Sequence, residues 1–75
     1  MNDDITAPTQ AEQLAALVQG RLLGRDRVIG LCVVVQEEGL VLQGSAPSFY
    51  AKQLAQHAAM EVSGLPILAN EIEVR

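Results

Sequence analysis

The sequence predicts an α+β domain in which two helices pack on one face of a three-stranded mixed sheet, in the order αββαβ. Apolar residues recur at helical spacing in two segments and alternate with a period of two in three others. Glycine or proline separates each of these segments from the next. A two-layer sandwich of this order buries the apolar side of every element, so it is the most economical architecture.

The first helix is predicted to begin after Thr9, because Thr9 and Glu12 have the spacing of a capping box. Apolar residues then form one stripe along the helix, as expected for a surface helix packed on a core. Gly24 is the expected end of the helix, since glycine commonly occupies the position after the last turn. The predicted stripe consists of Ala11, Leu14, Leu17, Val18 and Leu22.

A β-hairpin is predicted to follow the first helix. Residues 29–36 alternate in hydropathy and are rich in β-branched side chains, which favours a strand with positions 31, 33 and 35 facing inward. Gly39 is expected to turn the chain, so that residues 40–43 return antiparallel to the first strand. Gly44 marks the expected end of this second strand.

A second helix and a third strand complete the predicted fold. Ser48 is expected to cap a helix over residues 48–62, and Gly64 is expected to end it in the left-handed conformation. Asn70 is expected to fix the turn into a final strand, residues 70–74, through side-chain to backbone hydrogen bonds. The predicted inward stripe of the helix consists of Ala51, Leu54, Ala55, Ala58 and Val62.

Length and charge limit the possible functions. The chain has 75 residues, enough for a single domain at residues 9–75 after a flexible acidic tail at residues 1–8. Five Lys and Arg residues against nine Asp and Glu give a net charge of -4, which opposes binding to nucleic acid. No nucleophile–base pair or phosphate-binding loop is visible, so we expect neither an enzyme nor a cofactor.

The beginning of the sequence bears on the compartment. Residues 1–9 have no basic segment followed by an apolar one, and so they do not resemble a secretory signal peptide. No apolar run approaches the ~20 residues that span a bilayer. We therefore expect a cytoplasmic protein without a transmembrane segment, or a periplasmic one if the chain derives from a longer precursor.

Several motifs stand in register along the chain. Residues 40–44 read Leu-Val-Leu-Gln-Gly, a helix of small residues follows, Gly64-Leu65 comes next, and residues 68–74 read Leu-Ala-Asn-Glu-Ile-Glu-Val. With these motifs the chain resembles a BON domain, a small module of bacterial osmotic-shock and nodulation proteins, over residues 11–74. The resemblance implies the αββαβ sandwich, backbone-geometry roles for the glycines that end the second strand and the second helix, and a non-catalytic binding role. It also implies partners among phospholipid surfaces, proteins or polymer ligands.

The outward side of the predicted hairpin carries Cys32, Val34 and Val41 beside Gln43. These positions are usually polar in BON domains, so their apolar character is a departure from the family pattern. Because exposed apolar patches with polar rims mark interaction surfaces, we expect this face to bind a second copy of the chain or another protein. The alternative is that three medium-sized apolar side chains are simply tolerated at the surface.

Three arginines near the end of the first helix suggest a second candidate site. Arg21, Arg25 and Arg27 are positioned to contact an anionic phospholipid headgroup or another anion. The alternative is that they stabilise the negative end of the helix dipole and aid solubility. The acidic net charge opposes the lipid interpretation.

Cys32 and His57 have reactive side chains, but neither is expected to have a catalytic or metal-binding role. Cys32 lies among valines, away from any predicted cation or helix N-terminus, so a packing role is expected; a lone cysteine also excludes an internal disulfide and a thiolate metal cluster. His57 shares an exposed helix stripe with Tyr50 and Glu61. One histidine and one glutamate are too few ligands for a closed zinc site, so no metal is expected.

Overall fold

A computed structural model describes residues 9–75. The described chain forms, in order, α1 (Gln10–Arg21), a short 3-10 turn (Gly24–Asp26), β1 (Ile29–Gln36), β2 (Gly39–Ala46), α2 (Phe49–Ser63) and β3 (Ile67–Val74). The predicted α+β class and the order αββαβ are confirmed. The predicted tail at residues 1–8 lies outside the described residues.

The sheet has the strand order β1-β2-β3, so β2 is its central strand. β1 pairs antiparallel with β2, and β2 pairs parallel with β3, which makes the sheet mixed as predicted. α2 provides the crossover connection that a parallel pair requires. α1 packs on β1 and against α2, and α2 packs on β3 and β2, so both helices lie on the same face of the sheet. The opposite face is called the outer face below.

The core is aliphatic and lies between the helices and the inner face of the sheet. Its fully buried side chains include Leu40, Leu42 and Ile72 from the sheet. Of the predicted stripe, Leu14, Val18 and Leu22 are buried and Ala11 is half-buried. The prediction is wrong at Leu17, which is 53% exposed. Four alanines of α2 are buried, and their small side chains let this helix approach the sheet closely. These alanines are Ala51, Ala55, Ala58 and Ala59.

The capping box at the start of α1 is confirmed. Thr9 Oγ1 accepts a hydrogen bond from the N–H of Glu12 over 3.1 Å, and the Glu12 carboxylate accepts one from the N–H of Thr9 over 2.9 Å. The predicted end at Gly24 is wrong, because α1 ends at Arg21. Leu22 already has an extended backbone and is 3% exposed. The side chain of Leu22 is part of the core, and α1 ends before Gly24.

Both ends of α2 agree with the sequence prediction. Ser48 Oγ accepts a hydrogen bond from the N–H of Ala51 over 3.0 Å at the first turn. At the other end Gly64 has φ +71, and its N–H donates to the carbonyl oxygen of Met60 over 2.8 Å. Leu65 then packs against the core, as expected for a chain that folds back after a left-handed helix end.

Gly39 is required by a close contact between strands. The hairpin turn consists of residues 37–38, and Gly39 itself is the first residue of β2. Leu40 donates its N–H to the carbonyl oxygen of Pro66 over 2.9 Å, which holds the start of β3 against β2. A Cβ at Gly39 would collide with that carbonyl oxygen and would stand 2.9 Å from Cγ of Leu68. A side chain here would push β3 away.

Asn70 connects β3 to α2 instead of fixing a turn. β3 begins at Ile67, three residues earlier than predicted, so Asn70 lies within the strand and the predicted turn position is wrong. Its side-chain Nδ2 donates to the carbonyl oxygen of Lys52 over 3.3 Å and to Oε1 of Gln56 over 3.1 Å. Its Oδ1 accepts from the N–H of Ile72 over 3.2 Å. The half-buried side-chain amide of Asn70 therefore forms hydrogen bonds to groups of both α2 and β3.

Candidate functional site

The outer face brings together the residues that the sequence assigned to an interface. Val34 of β1 lies opposite Val41 of β2, and Cys32 lies opposite Gln43. Because facing residues of an antiparallel pair share one side of the sheet, these four side chains form one surface, called the outer-face patch. Cys32 and Gln43 are exposed, while Val34 and Val41 are partly buried by their neighbours. Cys32 therefore lies on the outward side of the hairpin, where the sequence placed it.

Polar groups border the outer-face patch on the β3 side. Gln43 donates from Nε2 to Oε1 of Glu71 over 3.0 Å, which links β2 to β3 across the outer face. Ala69 lies beside Val41 and continues the apolar surface by one small side chain. Leu68, 45% exposed, lies next to Gly39 at the hairpin end. The patch is thus apolar along β1 and at the hairpin end of β2 and β3, and polar where Gln43 bonds to Glu71.

Ile29 also belongs to the outer face, which the sequence analysis missed. Ile29 pairs with Ser45 and Cys32 with Gln43, so two residues of β1 face the single Gly44. This is a β-bulge, and Gly30 takes up its left-handed conformation with φ +65. The extra residue reverses the alternation, and Ile29 points outward with 76% of its surface exposed. A glycine inside a strand pattern is the sequence signal for such a bulge.

The three predicted arginines do not form one cluster. Arg21 donates from Nη1 to Oε1 of Glu61 over 2.7 Å, and this exposed ion pair joins the end of α1 to α2. Arg25 instead lies in the 3-10 turn and Arg27 directly after it, before β1, where they line an open groove of about 450 Å³. Arg75 lines the same groove and was missed, because it lies far away along the sequence.

The groove combines cations with apolar walls. Ile29, Ala46 and Pro47 provide apolar surface beside Arg25 and Arg27. Arg75 forms an exposed ion pair of 2.7 Å with Glu73, whereas Arg25 and Arg27 form no ion pair within residues 9–75. This part of the surface therefore offers the positive charges of Arg25 and Arg27 next to apolar side chains. Such a combination suits a ligand with a negative group and an apolar part.

The side chains capable of catalysis or metal binding do not converge. His57 is exposed on α2, and its predicted partner Glu61 accepts the hydrogen bond of Arg21. Cys32 lies on the outer face, on the opposite layer of the molecule from α2. Within residues 9–75, no three His, Cys, Asp or Glu side chains are grouped so that they could hold a metal ion.

Comparison of the chain with protein-family models, with curated proteins and with solved structures finds no significant match. The helices of residues 9–75 do not include one of the length and hydrophobicity needed to cross a bilayer.

Proposed function

We propose that this chain is a non-catalytic interaction module that self-associates through its outer-face patch. The observation that carries the proposal is the position of Cys32, Val34 and Val41 on the sheet face opposite both helices. Apolar surface of this kind, bordered by polar residues, is typical of contact surfaces. The resemblance of the sequence motifs to BON domains points to the same class of role, and BON-like membership is part of the proposal.

A second copy of the chain is the simplest partner for this surface. A two-fold dimer needs only one self-complementary patch, and it is the commonest closed assembly of soluble proteins. Burial of Val34 and Val41 against a partner removes apolar surface from water, at roughly 25 cal/mol per Å². The proposed role involves no catalysis, since Cys32 and His57 lie on different layers of the molecule.

Sedimentation of Val34→Lys tests the proposal. We expect the wild-type chain to form a dimer at micromolar concentration and the variant to be monomeric, because the lysine introduces a charge into the centre of the patch. Leu17→Lys is the matched control: Leu17 is apolar and 53% exposed, but it lies on α1 in the helical layer. The control should stay dimeric. A wild-type chain that remains monomeric at high micromolar concentration, unchanged by Val34→Lys, would remove the proposal.

Peripheral binding to phospholipid is the second candidate function. Arg25 and Arg27, which form no ion pair with another residue of the described range 9–75, lie beside the exposed Ile29 and favour it, whereas Arg21 is engaged by Glu61. Binding to vesicles that contain anionic phospholipid should weaken with salt and should be lost in the variant Arg25→Glu/Arg27→Glu. Arg21→Glu is the control and should have a smaller effect. No flotation with anionic vesicles at low salt would exclude this function.

A further inference from the structure

We infer that two copies of this chain stack outer face on outer face with their strands reversed, so that the acidic hairpin turn of each copy lies against the groove with Arg25 and Arg27 of the other. The inference rests on the proposed self-association and specifies how the two copies meet. The contact buries the outer-face patch at its centre. It also gives the groove an occupant, the turn with Glu37 and Glu38 of a second copy.

Opposite charges lie at the two ends of the outer face. Glu37 and Glu38 form the turn between β1 and β2, and both are exposed. Arg25 and Arg27 are exposed at the other end, where they line the groove. None of these four side chains forms an ion pair within residues 9–75. The eight residues of β1 separate the two ends by about 26 Å at ~3.3 Å per residue, so the charges cannot meet within one chain.

The groove is continuous with the outer-face patch. Ile29 and Ser45 lie opposite each other in the row that follows Cys32 and Gln43. Ile29 and Ser45 also line the groove. A partner that covers the patch therefore extends into the groove along one surface, and it also covers Ile29, which is 76% exposed.

The charges at the two ends select the orientation of the second copy. Two outer faces related by a two-fold axis can stack with their strands running in the same direction or reversed. Stacking in the same direction brings both acidic turns to one end of the dimer and both grooves to the other, so that like charges meet. Reversed stacking places an acidic turn on a groove at both ends. Because juxtaposed like charges suppress the wrong arrangement, the reversed orientation is favoured.

The spacing of the charges places the two-fold axis between the row of Val34 and the row of Cys32. Glu37 follows Val34 by three residues, and Arg27 precedes Cys32 by five, one of which is the extra residue of the bulge. Reversal about this axis therefore brings Glu37 of one copy to within about one residue, ~3.3 Å along the strand, of Arg27 of the other. The long side chains of arginine and glutamate can bridge this difference.

The same axis leaves no like charges facing each other at the centre of the contact. Val34 of each copy then lies over Cys32 of the other. Ala69 shares the row of Val34, and Glu71 shares the row of Cys32, so Glu71 of each copy lies over Ala69 of the other. The apolar rows of the two patches are thereby buried together.

A charge-exchange experiment tests the contact at the two ends. The variants Arg25→Glu/Arg27→Glu and Glu37→Arg/Glu38→Arg each place like charges at both ends of the dimer. In sedimentation, each should dimerise on the order of ten-fold more weakly than wild type. An equimolar mixture of the two variants restores attraction at both ends and should dimerise like wild type. Recovery in the mixture also shows that each variant is folded.

Matched controls exchange the same charges in the helical layer. Arg21 of α1 and Glu61 of α2 form an exposed ion pair between the two helices. Arg21→Glu and Glu61→Arg should therefore dimerise like wild type, alone and in the mixture. A loss equal to that of the outer-face variants would overturn the inference.

The variant Glu37→Arg/Glu38→Arg separates the local contact from overall charge. Each exchange of glutamate for arginine adds two positive charges, so two exchanges raise the net charge from -4 to zero. If overall repulsion controlled dimerisation, this variant would dimerise more tightly than wild type. The inferred contact predicts a weaker dimer, and a tighter one would overturn it.

Cross-linking tests the orientation directly. In a Cys32→Ala background, Glu38→Cys places a thiol at the turn and Arg27→Cys places one at the groove. After subunit exchange, a short bis-maleimide should link the two proteins in their mixture, and neither protein should be linked to itself. Efficient self-linking of each protein alone, or no link in a mixture that is proven to be dimeric, would overturn reversed stacking.

The outcomes distinguish this inference from the proposed function. Wild-type dimers that are broken by Val34→Lys but unchanged by both outer-face charge exchanges would overturn the contact between turn and groove, and self-association through the outer-face patch would stand. A wild-type chain that stays monomeric at high micromolar concentration would overturn both.

Discussion

Gly44 of β2 lies directly against Val28, so that a Cβ built on Gly44 would stand 2.9 Å from Cγ1 of Val28. The same Cβ would stand 3.2 Å from the carbonyl oxygen of Ile29 and 3.3 Å from that of Gly30. Gly44 has φ +147, a conformation that residues with side chains rarely adopt. The bulge in β1 and the glycine in β2 therefore lie directly against each other.

Gly44→Ala should destabilise the fold by about 1–3 kcal/mol, because it combines an unfavourable backbone conformation with a collision in the core. Urea denaturation followed by circular dichroism measures the change. Gly20→Ala is the opposite control: Gly20 lies in α1, and an added Cβ meets nothing within 4 Å. That variant should gain about 0.5–1 kcal/mol. A neutral Gly44→Ala would contradict the close contact with Val28.

Asn70→Ala should cost about 1–3 kcal/mol, since it leaves the backbone N–H of Ile72 and the carbonyl oxygen of Lys52 without their half-buried side-chain partner. Gln56→Ala removes only one of the bonds of Asn70 and should cost less, about 0.5–1.5 kcal/mol. Equilibrium unfolding of both variants under the same conditions checks the order. Equal losses would mean that the contact with Gln56 carries most of the stabilisation.

Thr9→Ala should destabilise the domain by about 1 kcal/mol through loss of the N-cap of α1. Thr9→Ser keeps a hydroxyl acceptor for the N–H of Glu12 and should remain within a few tenths of a kcal/mol of wild type. Thermal melts of the three proteins provide the comparison. If serine failed to replace threonine, the hydroxyl bond would not be the reason for the stabilisation.

The ion pair between Arg21 and Glu61 should contribute little to stability, although its length is 2.7 Å. Its side chains are 54% and 67% exposed, and water screens such pairs effectively. A double-mutant cycle with Arg21→Ala and Glu61→Ala should give a coupling of about 0–1 kcal/mol that decreases with added salt. A larger coupling that salt does not reduce would show that the pair is more rigid and less hydrated than its exposure indicates.

Local sequence patterns were sufficient for much of the fold. The capping box at Thr9, the N-cap at Ser48 and the left-handed glycine at Gly64 depend on residues within about four positions of each other, and each is found where it was predicted. Alternation of apolar residues likewise located β1 and β2, but the predicted end of β2 at Gly44 is wrong, because the strand continues to Ala46. The sequence also identified the outer-face patch, because one face of an alternating strand is known once the other is assigned to the core.

Long-range packing decided the features that the sequence analysis missed. The bulge between Ile29 and Cys32 lies opposite Gly44 and places Ile29 on the outer face beside Ser45. Contacts between distant segments also separated Arg21 from Arg27 and brought Arg75 to the groove.

By itself the sequence determined the order and type of the elements and which side of each strand is apolar, since these depend on near neighbours along the chain. Only the tertiary structure decided the strand register, the bulge in β1 and the residues that border the groove. These depend on steric fit between segments tens of residues apart, and a periodic pattern within one segment carries no information about the shape of its neighbour.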